Sequence, residues 1–409
     1  MVQKIAIVGC GHYTMRHHVD LIDKNRRNGM PELELVSVFD VSDKREELFS
    51  KTNKLGIHPE FYQVPHHLSG SEFKQLLDKD QIDAVVIATD PLAHEKYIRW
   101  SLEEGKKVLL DKPIVALKNT SVDENQARKL FSQYCTLENL ANSNTLVGTQ
   151  RRFDPYYRYM IDASEKFPAN HMFIQKTDGQ IRTLEELFEM KYHGFTEGYG
   201  AIMHTGYHLI DMIALVMKDQ FDSVKVLCDV SRPRDYLAGP YQNFLGDENV
   251  KNQEIPTGEM DATVHYSFYK NGFRTADAIM SLMHTSPTDR TWKKSRSDLY
   301  KGNGRKGNEC IRVIQGPHQG ITSLKVEHVG QDMTLHRLQG HDKISISKVN
   351  SRELMWDAFL QEEHSTISDI ESHKKTMYLV SLAYISAARA FNNQNPYVEA
   401  RFPNLPEMI

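Results

Sequence analysis

The sequence predicts an α/β protein in two parts. An N-terminal doubly wound parallel sheet is followed by an α+β domain with a large, mostly antiparallel open sheet. Three observations predict this. The first 150 residues place short apolar runs between longer amphipathic stretches, the pattern of a parallel sheet covered on both faces. After Arg152 strand-like runs dominate, with helical patterns beside and after them, as in a sheet carrying a helical layer. A chain of 409 residues is also long enough for two or three domains at roughly 150 residues each. The boundary is set at residues 1–150 and 151–409.

In order, Ile5–Val8, Leu33–Phe39, Ala84–Ala88, Val108–Leu110 and Thr145–Val147 read as buried strands, with Asp43–Lys54, Leu92–Glu104 and Val122–Tyr134 as helices. Strand and helix alternating at this spacing give βαβ units. In the second part a helix follows Asp154 and another spans Gly200–Met217. Strands are expected at Ser223–Val230, Asp261–Tyr269, Arg274–Met283, Ile311–Gln315, Ser323–Val329, Met333–Leu338 and Lys343–Val349. Two helices close the chain within about 352–392, over Arg352–Glu371 and Lys374–Asn392. Ser231–Thr257 is rich in Pro, Gly, Asn and Asp and reads as a long loop, either disordered or functional in shaping a pocket or a subunit contact.

Composition narrows the function classes. Hydrophobic residues make up 40% and charged residues 25%, enough for a packed core and unlike a disordered chain. Fifty Lys and Arg against 54 Asp and Glu give a net charge of −4, which excludes a globally basic nucleic-acid binder. The four cysteines lie far apart with no C-x-x-C pair, so neither a disulfide framework nor a cysteine zinc site is expected, and a reducing cytosol fits. The most membrane-like stretch, Leu209–Met217, is short and carries Asp211, so no spanning helix is expected. The strand pattern starts almost at once, which leaves no room for a signal peptide. The expected setting is cytoplasmic, with neither nucleic acid nor membrane as partner.

Ile5 to Thr14 is a strand running into a glycine turn. Gly9 permits the tight turn, Gly11 lets a pyrophosphate approach the backbone, and the following helix turns its positive end toward that phosphate. His12 and Tyr13 sit in the same loop; Tyr13 contacts cofactor or substrate, or serves as an apolar lid. Thr14 stands where G-x-G-x-x-G has its third glycine, so either the helix–strand contact is looser or the loop differs. Gly302–Gly307 matches the pattern fully but follows no strand, and reads as a basic surface loop. Asp40 ends the second strand, where an acid accepts hydrogen bonds from ribose hydroxyls and repels a 2′-phosphate. The cofactor expected is therefore NAD, with NADP kept open by the nearby Arg45. Lys112 follows an apolar strand, at the edge where ligands of open α/β sheets sit. Pro113 restricts its geometry, and partial desolvation would tune its amine for proton or hydrogen-bond donation.

Together these residues resemble the glucose–fructose oxidoreductase / inositol dehydrogenase / MocA (Gfo/Idh/MocA) family. The resemblance runs along most of the chain: the glycine loop, Asp40, the Val86–His94 segment with Thr89 and His94 along the cofactor, Asp111-Lys112-Pro113, Gln150–Pro155 with Arg152, the Gly200–Asp211 helix, and the Gly316–Gly320 turn. It implies a Rossmann domain binding NAD through Gly9, Gly11, His12, Tyr13, Asp40, Thr89, His94, Asp111 and Lys112. It also implies an open sheet that forms a homodimer or homotetramer, and oxidation of a secondary alcohol of a sugar, amino sugar or cyclitol, or the reverse reduction. By carry-over Lys112 polarises the reacting hydroxyl, His208 takes or gives its proton, and His204, Arg152 and Asp211 join Lys112 and His208 around the substrate. Asp111 replaces the family's usual Glu, and His204 stands where Asp or Asn is common, which changes the charge of the site.

Other readings stay open. His204 and His208 are four apart and share a helix face; they serve as acid/base groups, as structural histidines, or as metal ligands. No metal is expected, because the stretch lacks the Glu of H-E-x-x-H and His193 is on no clear element. Asp211 orients His208, contacts substrate, or is an ordinary helix-face acid. Arg152 binds substrate or ties two layers together. The basic stretch from Lys293 to Lys306 reads as a solvated loop or a phosphate-recognition segment. Two rival functions remain: a lyase or hydrolase that keeps and cycles its NAD, and a non-catalytic sensor that binds cofactor.

Overall fold

The computed structural model describes residues 2–11, 13–27, 33–141, 144–177, 194–236, 256–284, 308–315, 322–329, 332–337, 342–344, 350–361 and 367–406. They form two compact units that interleave along the chain. Unit 1 comprises Met1–Ala116, Gln133–Phe153 and Asn350–Lys374; unit 2 comprises Leu117–Ser132, Asp154–Val349 and Lys375–Ile409. One crossing, at Phe153, lies close to the expected boundary at 150; the chain crosses at other points as well.

Unit 1 is built on six strands: β1 (Gln3–Val8), β2 (Leu33–Asp40), β3 (Glu60–Gln63), β4 (Ala84–Ile87), β5 (Lys107–Leu110) and β6 (Thr145–Val147), in the order β3-β2-β1-β4-β5-β6. All neighbours pair in parallel. This is the Rossmann order, with its reversal between β1 and β4. Helices α1 (Val19–Arg27), α2 (Arg45–Thr52), α3 (Gly70–Lys79), α4 (Pro91–Glu103) and α5 (Glu124–Leu140) connect the strands, α5 starting in unit 2. The central strands are apolar because both faces are covered: Ile5, Ala6, Ile7, Ala84–Ile87 and Val108 have no exposed surface. The sequence expectation omitted β3 and α3. Four residues of β3 give too short a run, but Ser69 and Glu72 form a capping box ahead of α3, a signal legible in sequence.

Late in the chain, α9 (Ser351–Leu360) returns to unit 1. It puts Met355, Trp356, Phe359 and Leu360 into the same core as Ile5, Val19, Ile22, Val86 and Leu146. Each such side chain stabilises the unit by roughly 1.5–3 kcal/mol through burial. The expected helix over Arg352–Glu371 ends early: Gln361 is extended, and a short 3₁₀ turn, Glu371–His373, precedes the last helix.

Unit 2 carries nine strands among its described residues: β7 (Ala169–Thr177), β8 (Ser223–Ser231), β9 (Asp261–Lys270), β10 (Phe273–Met283), β11 (Asn308–Gln315), β12 (Thr322–Val329), β13 (Asp332–Arg337), β14 (Asp342–Ile344) and β15 (Val398–Arg401). Their order is β14-β13-β12-β11-β7-β10-β9-β8-β15, antiparallel throughout except for the β7–β10 pair. Period-two alternation turns Val224, Val226, Val264, Tyr266, Phe268, Ala278, Met280, Ile311 and Val313 inward. The other face exposes Phe173 and Leu227 and groups His171, His265 and Arg274 around Asp277. Helices α6 (Pro155–Lys166), α7 (Gly194–Glu197), α8 (Tyr207–Val216) and α10 (Lys374–Phe391) complete the unit. The inner strand β7 was not expected: only Ala169, Met172 and Ile174 mark its buried side, too few to stand out. Among the described residues no helix is long and apolar enough to cross a membrane.

Candidate active site

The glycine loop is built as the sequence demands at two points and differently at a third. Gly9 has φ +98°, and a Cβ there would stand 2.5 Å from the Ala88 carbonyl oxygen, so only glycine fits. A Cβ on Gly11 would meet nothing within 4 Å; the backbone faces open space there, as close approach of a pyrophosphate requires. Thr14 is fully buried, and its hydroxyl donates to the Gly9 carbonyl at 2.7 Å. The loop thus departs from the three-glycine form: a side-chain hydrogen bond ties helix to loop. A π-helical turn, Thr14–His18, follows and leads into α1. Cys10 is buried, and burial followed by the charge of Asp40 pushes its thiol up to about 12, so it stays protonated and unreactive.

Asp40 sits at the carboxyl end of β2. Its carboxylate accepts Cys10 N–H at 2.6 Å and Ser42 N–H at 2.8 Å. An ionised carboxylate has about four acceptor positions, so two remain for ribose hydroxyls. The cations just beyond have partners of their own: Lys44 Nζ lies 3.5 Å from Glu47, and the Arg45 guanidinium lies 5.7 Å from the centre of the Phe61 ring.

The loops after β4 and β5 are joined by His94. It is 1% exposed, with Nδ1 2.7 Å from the Pro113 carbonyl oxygen and Nε2 3.1 Å from that of Thr89. Burial lowers its pKa, as does the ammonium of Lys112 to a smaller degree. The neutral ring, with one N–H, donates to one carbonyl at a time. His94 therefore sits between the Thr89 and Pro113 carbonyls and bonds one of them at a time; Lys112 is half-buried, and the Lys112–Pro113 bond is cis.

Behind Lys112, Asp111 faces a histidine that no motif or spacing marks. His18 Nε2 lies 3.8 Å from Asp111 Oδ1, and the His18 ring packs 5.8 Å from Trp356. Tyr13 is half-exposed, with its ring 4.6 Å from that of His17 and the Arg352 guanidinium 5.9 Å from its centre. Burial, then Arg352 and its cationic neighbours, lower His17 to about 4, so it is neutral near pH 7. Tyr13 is pushed up by burial and by Asp111 and keeps its proton.

Arg152 is 1% exposed. It donates to the Ile367 carbonyl at 2.8 Å and the Ser372 hydroxyl at 2.6 Å, and it lies 3.1 Å from His373 Nδ1. In unit 1 its role is therefore a tie between the β6 end and the returning segment.

In unit 2, a second π-helical turn, Ile202–Gly206, precedes α8. From residue 201 to 214 every side chain is buried except His204 and His208. Both imidazoles lie on one face of a helix that is otherwise enclosed, and Gly206 lets that helix press on β10: a Cβ there would meet Leu282 at 2.8 Å. Phe195 packs 6.2 Å from the His204 ring. Asp211 has no exposed surface and accepts the Thr376 hydroxyl of α10 at 2.7 Å, which makes it a supporting carboxylate on the buried side. Among the described residues no group of three or more His, Cys, Asp or Glu is arranged to hold a metal ion. His12, His193, Gly302–Gly307, Gly316–Gly320, the Lys293–Lys306 stretch and residues 237–255 of the long loop lie outside the described residues.

Residues 3–131 match the family model GFO_IDH_MocA, an oxidoreductase family with an NAD-binding Rossmann fold. The chain is 27% identical over 329 residues to scyllo-inositol 2-dehydrogenase (NAD(+)) of Bacillus subtilis strain 168, covering 79% of this chain and 77% of that protein. Two solved structures share the fold. An aldose–aldose oxidoreductase from Caulobacter crescentus complexed with glycerol gives a TM-score of 0.64 at 14% identity, covering 98% of this chain and 100% of the other. A Bordetella pertussis dehydrogenase in complex with NADH and UDP-GlcNAcA gives 0.61 at 15% identity, covering 99% and 100%. Over residues 3–131 the chain is therefore similar to this family of NAD-binding oxidoreductases.

Proposed function

We propose that this oxidoreductase moves a hydride between nicotinamide and a secondary alcohol or ketone of a cyclitol or sugar, with NAD preferred over NADP. The observation that carries the reading is the pair His204 and His208, the two partly exposed side chains on an otherwise buried stretch. An enclosed helix that opens only at two imidazoles presents groups able to take and give a proton in general acid–base work.

When bound, NAD supplies a nicotinamide ring able to take or give the hydride. The chain's own residues do the rest. Gly9, Gly11 and the first turn of the following helix seat the pyrophosphate, and Asp40 takes the ribose hydroxyls. His94 fixes the loops that carry Thr89 and Lys112. The Lys112 ammonium polarises the reacting oxygen, and His208 removes its proton on oxidation or returns it on reduction. His204 hydrogen-bonds a neighbouring hydroxyl in place of a carboxylate. The exposed sheet face with Phe173 and Leu227 supports a homo-oligomer built through unit 2.

The relative from Bacillus subtilis makes scyllo-inositol the first substrate to try, with other inositols and aldoses beside it. With NAD and such a polyol, NADH absorbance should accumulate in step with ketone formation. Substrate consumed without NADH accumulating would instead mark a lyase or hydrolase that cycles its cofactor. No turnover of any polyol, despite tight NADH binding, would contradict the reading and favour a sensor.

A further inference from the structure

The helix that presents His204 and His208 has no side-chain cap of its own. The first N–H groups of a helix lack partners within it, and a buried one left unpaired is costly. Here two donors at the start of the helix are met by one distant residue, Glu259, which lies just before β9. The Ala201 N–H donates to the Glu259 backbone carbonyl at 2.9 Å, and the Ile202 N–H to its Oε1 at 2.7 Å. The contact is close enough to exclude any side chain at Gly200, whose Cβ would lie 2.4 Å from Glu259.

Glu259 has no exposed surface. Its carboxyl group is enclosed by groups from four further places in unit 2. Ser121 bonds Oε2, and the Tyr384 hydroxyl of α10 lies 3.3 Å from Oε1. Arg232, at the end of β8, holds the Ser121 carbonyl at 2.7 Å and acts on the carboxyl through its charge, and the thiol of Cys228 lies within its field. The Tyr384 hydroxyl also donates to the carbonyl of Tyr199, directly before the helix. Burial pushes the carboxyl above the usual carboxylate range. In the neutral form one oxygen donates to Ser121 while the other still accepts from Ile202, so the seat holds in either state.

We propose that Glu259 is the positioning residue for His204 and His208, seating the first turn of their helix through its carbonyl and carboxyl oxygens. The effect on catalysis rests on the function proposed above; the seating itself does not. A buried anchor at the start of a helix fixes where side chains one and two turns later point, and a proton-transfer group displaced by about 1 Å loses much of its rate.

The test compares Glu259→Leu, which removes the carboxyl acceptor of the Ile202 N–H and leaves the backbone carbonyl, with Glu259→Gln, which copies the neutral acid. Hydrogen exchange of the full chain reads the seat without any substrate. In E259L the amides of 201–206 should exchange about tenfold faster or more, with β9 and α10 unchanged, and E259Q should restore protection. In turnover, E259L should lose about tenfold or more in kcat at unaltered NADH affinity, and E259Q should recover most of it. Exchange unchanged at 201–206, or faster across all of unit 2 alike, overturns the proposal, as does E259L with full kcat in an otherwise active enzyme. Should the wild type turn over no polyol, the functional reading fails while the exchange experiment still decides the seat. If E259L does not fold, Ser121→Ala, which removes one hydrogen-bond partner of the same carboxyl group, should give a smaller rise confined to the same amides; no rise there overturns the proposal.

Discussion

Asp40 does two things with one carboxylate. It holds the glycine loop against β2 through Cys10 N–H and Ser42 N–H, and under the proposed function its remaining lone pairs take the ribose hydroxyls. A change there should touch both binding and the loop. We expect Asp40→Ala to weaken NADH by about tenfold or more in a fluorescence titration, since hydrogen bonds to a charged acceptor contribute about 1.5–3 kcal/mol. NADPH should lose less, because the carboxylate no longer repels a 2′-phosphate. Equal loss for both cofactors would remove Asp40 from the ribose. Residue-level chemistry of this kind is legible from position alone, a strand-end acid after a glycine loop. Glu259 is not: it is one of several acids around the end of a loop-like stretch, and its meaning comes from Ser121, Ile202 and Tyr384, far away in sequence.

At the scale of elements, the helix after β1 and the helix before β8 share a device. Each begins with a π-helical turn, Thr14–His18 and Ile202–Gly206, neither with a side-chain N-cap. Such turns widen the helix locally and recur at functional sites. The first is tied by Thr14, whose hydroxyl takes the place of a third glycine's close approach. Thr14→Val keeps the shape and removes that hydrogen bond. It should cost about 1–3 kcal/mol in denaturant unfolding, with weakened NADH binding, since the Gly9 carbonyl loses a buried donor. Unchanged stability and affinity would make the threonine incidental. The glycine pattern announced the loop, but Thr14 reads in sequence as a defect, because a hydroxyl's partner is set by backbone curvature and not by spacing. Likewise α3 carried a readable capping box, whereas β7 and β15 were too short or too sparsely apolar to separate from their surroundings.

For the whole molecule, the parallel sheet and the change of pattern after Arg152 were readable, because each follows from local periodicity. The interleaving of the units was not. Segment 350–374 belongs with the Rossmann strands because Trp356 and Phe359 fill the core over β1 and β4, and only long-range packing reveals that. The function proposed here assigns the proton transfer to His208. The most direct test replaces His208 with Asn and measures polyol turnover and NADH affinity on the same preparation. Turnover should fall by about a hundredfold or more, as expected for loss of a general acid–base group, with NADH affinity unchanged. A fully active His208→Asn enzyme would contradict the account and place the proton acceptor elsewhere.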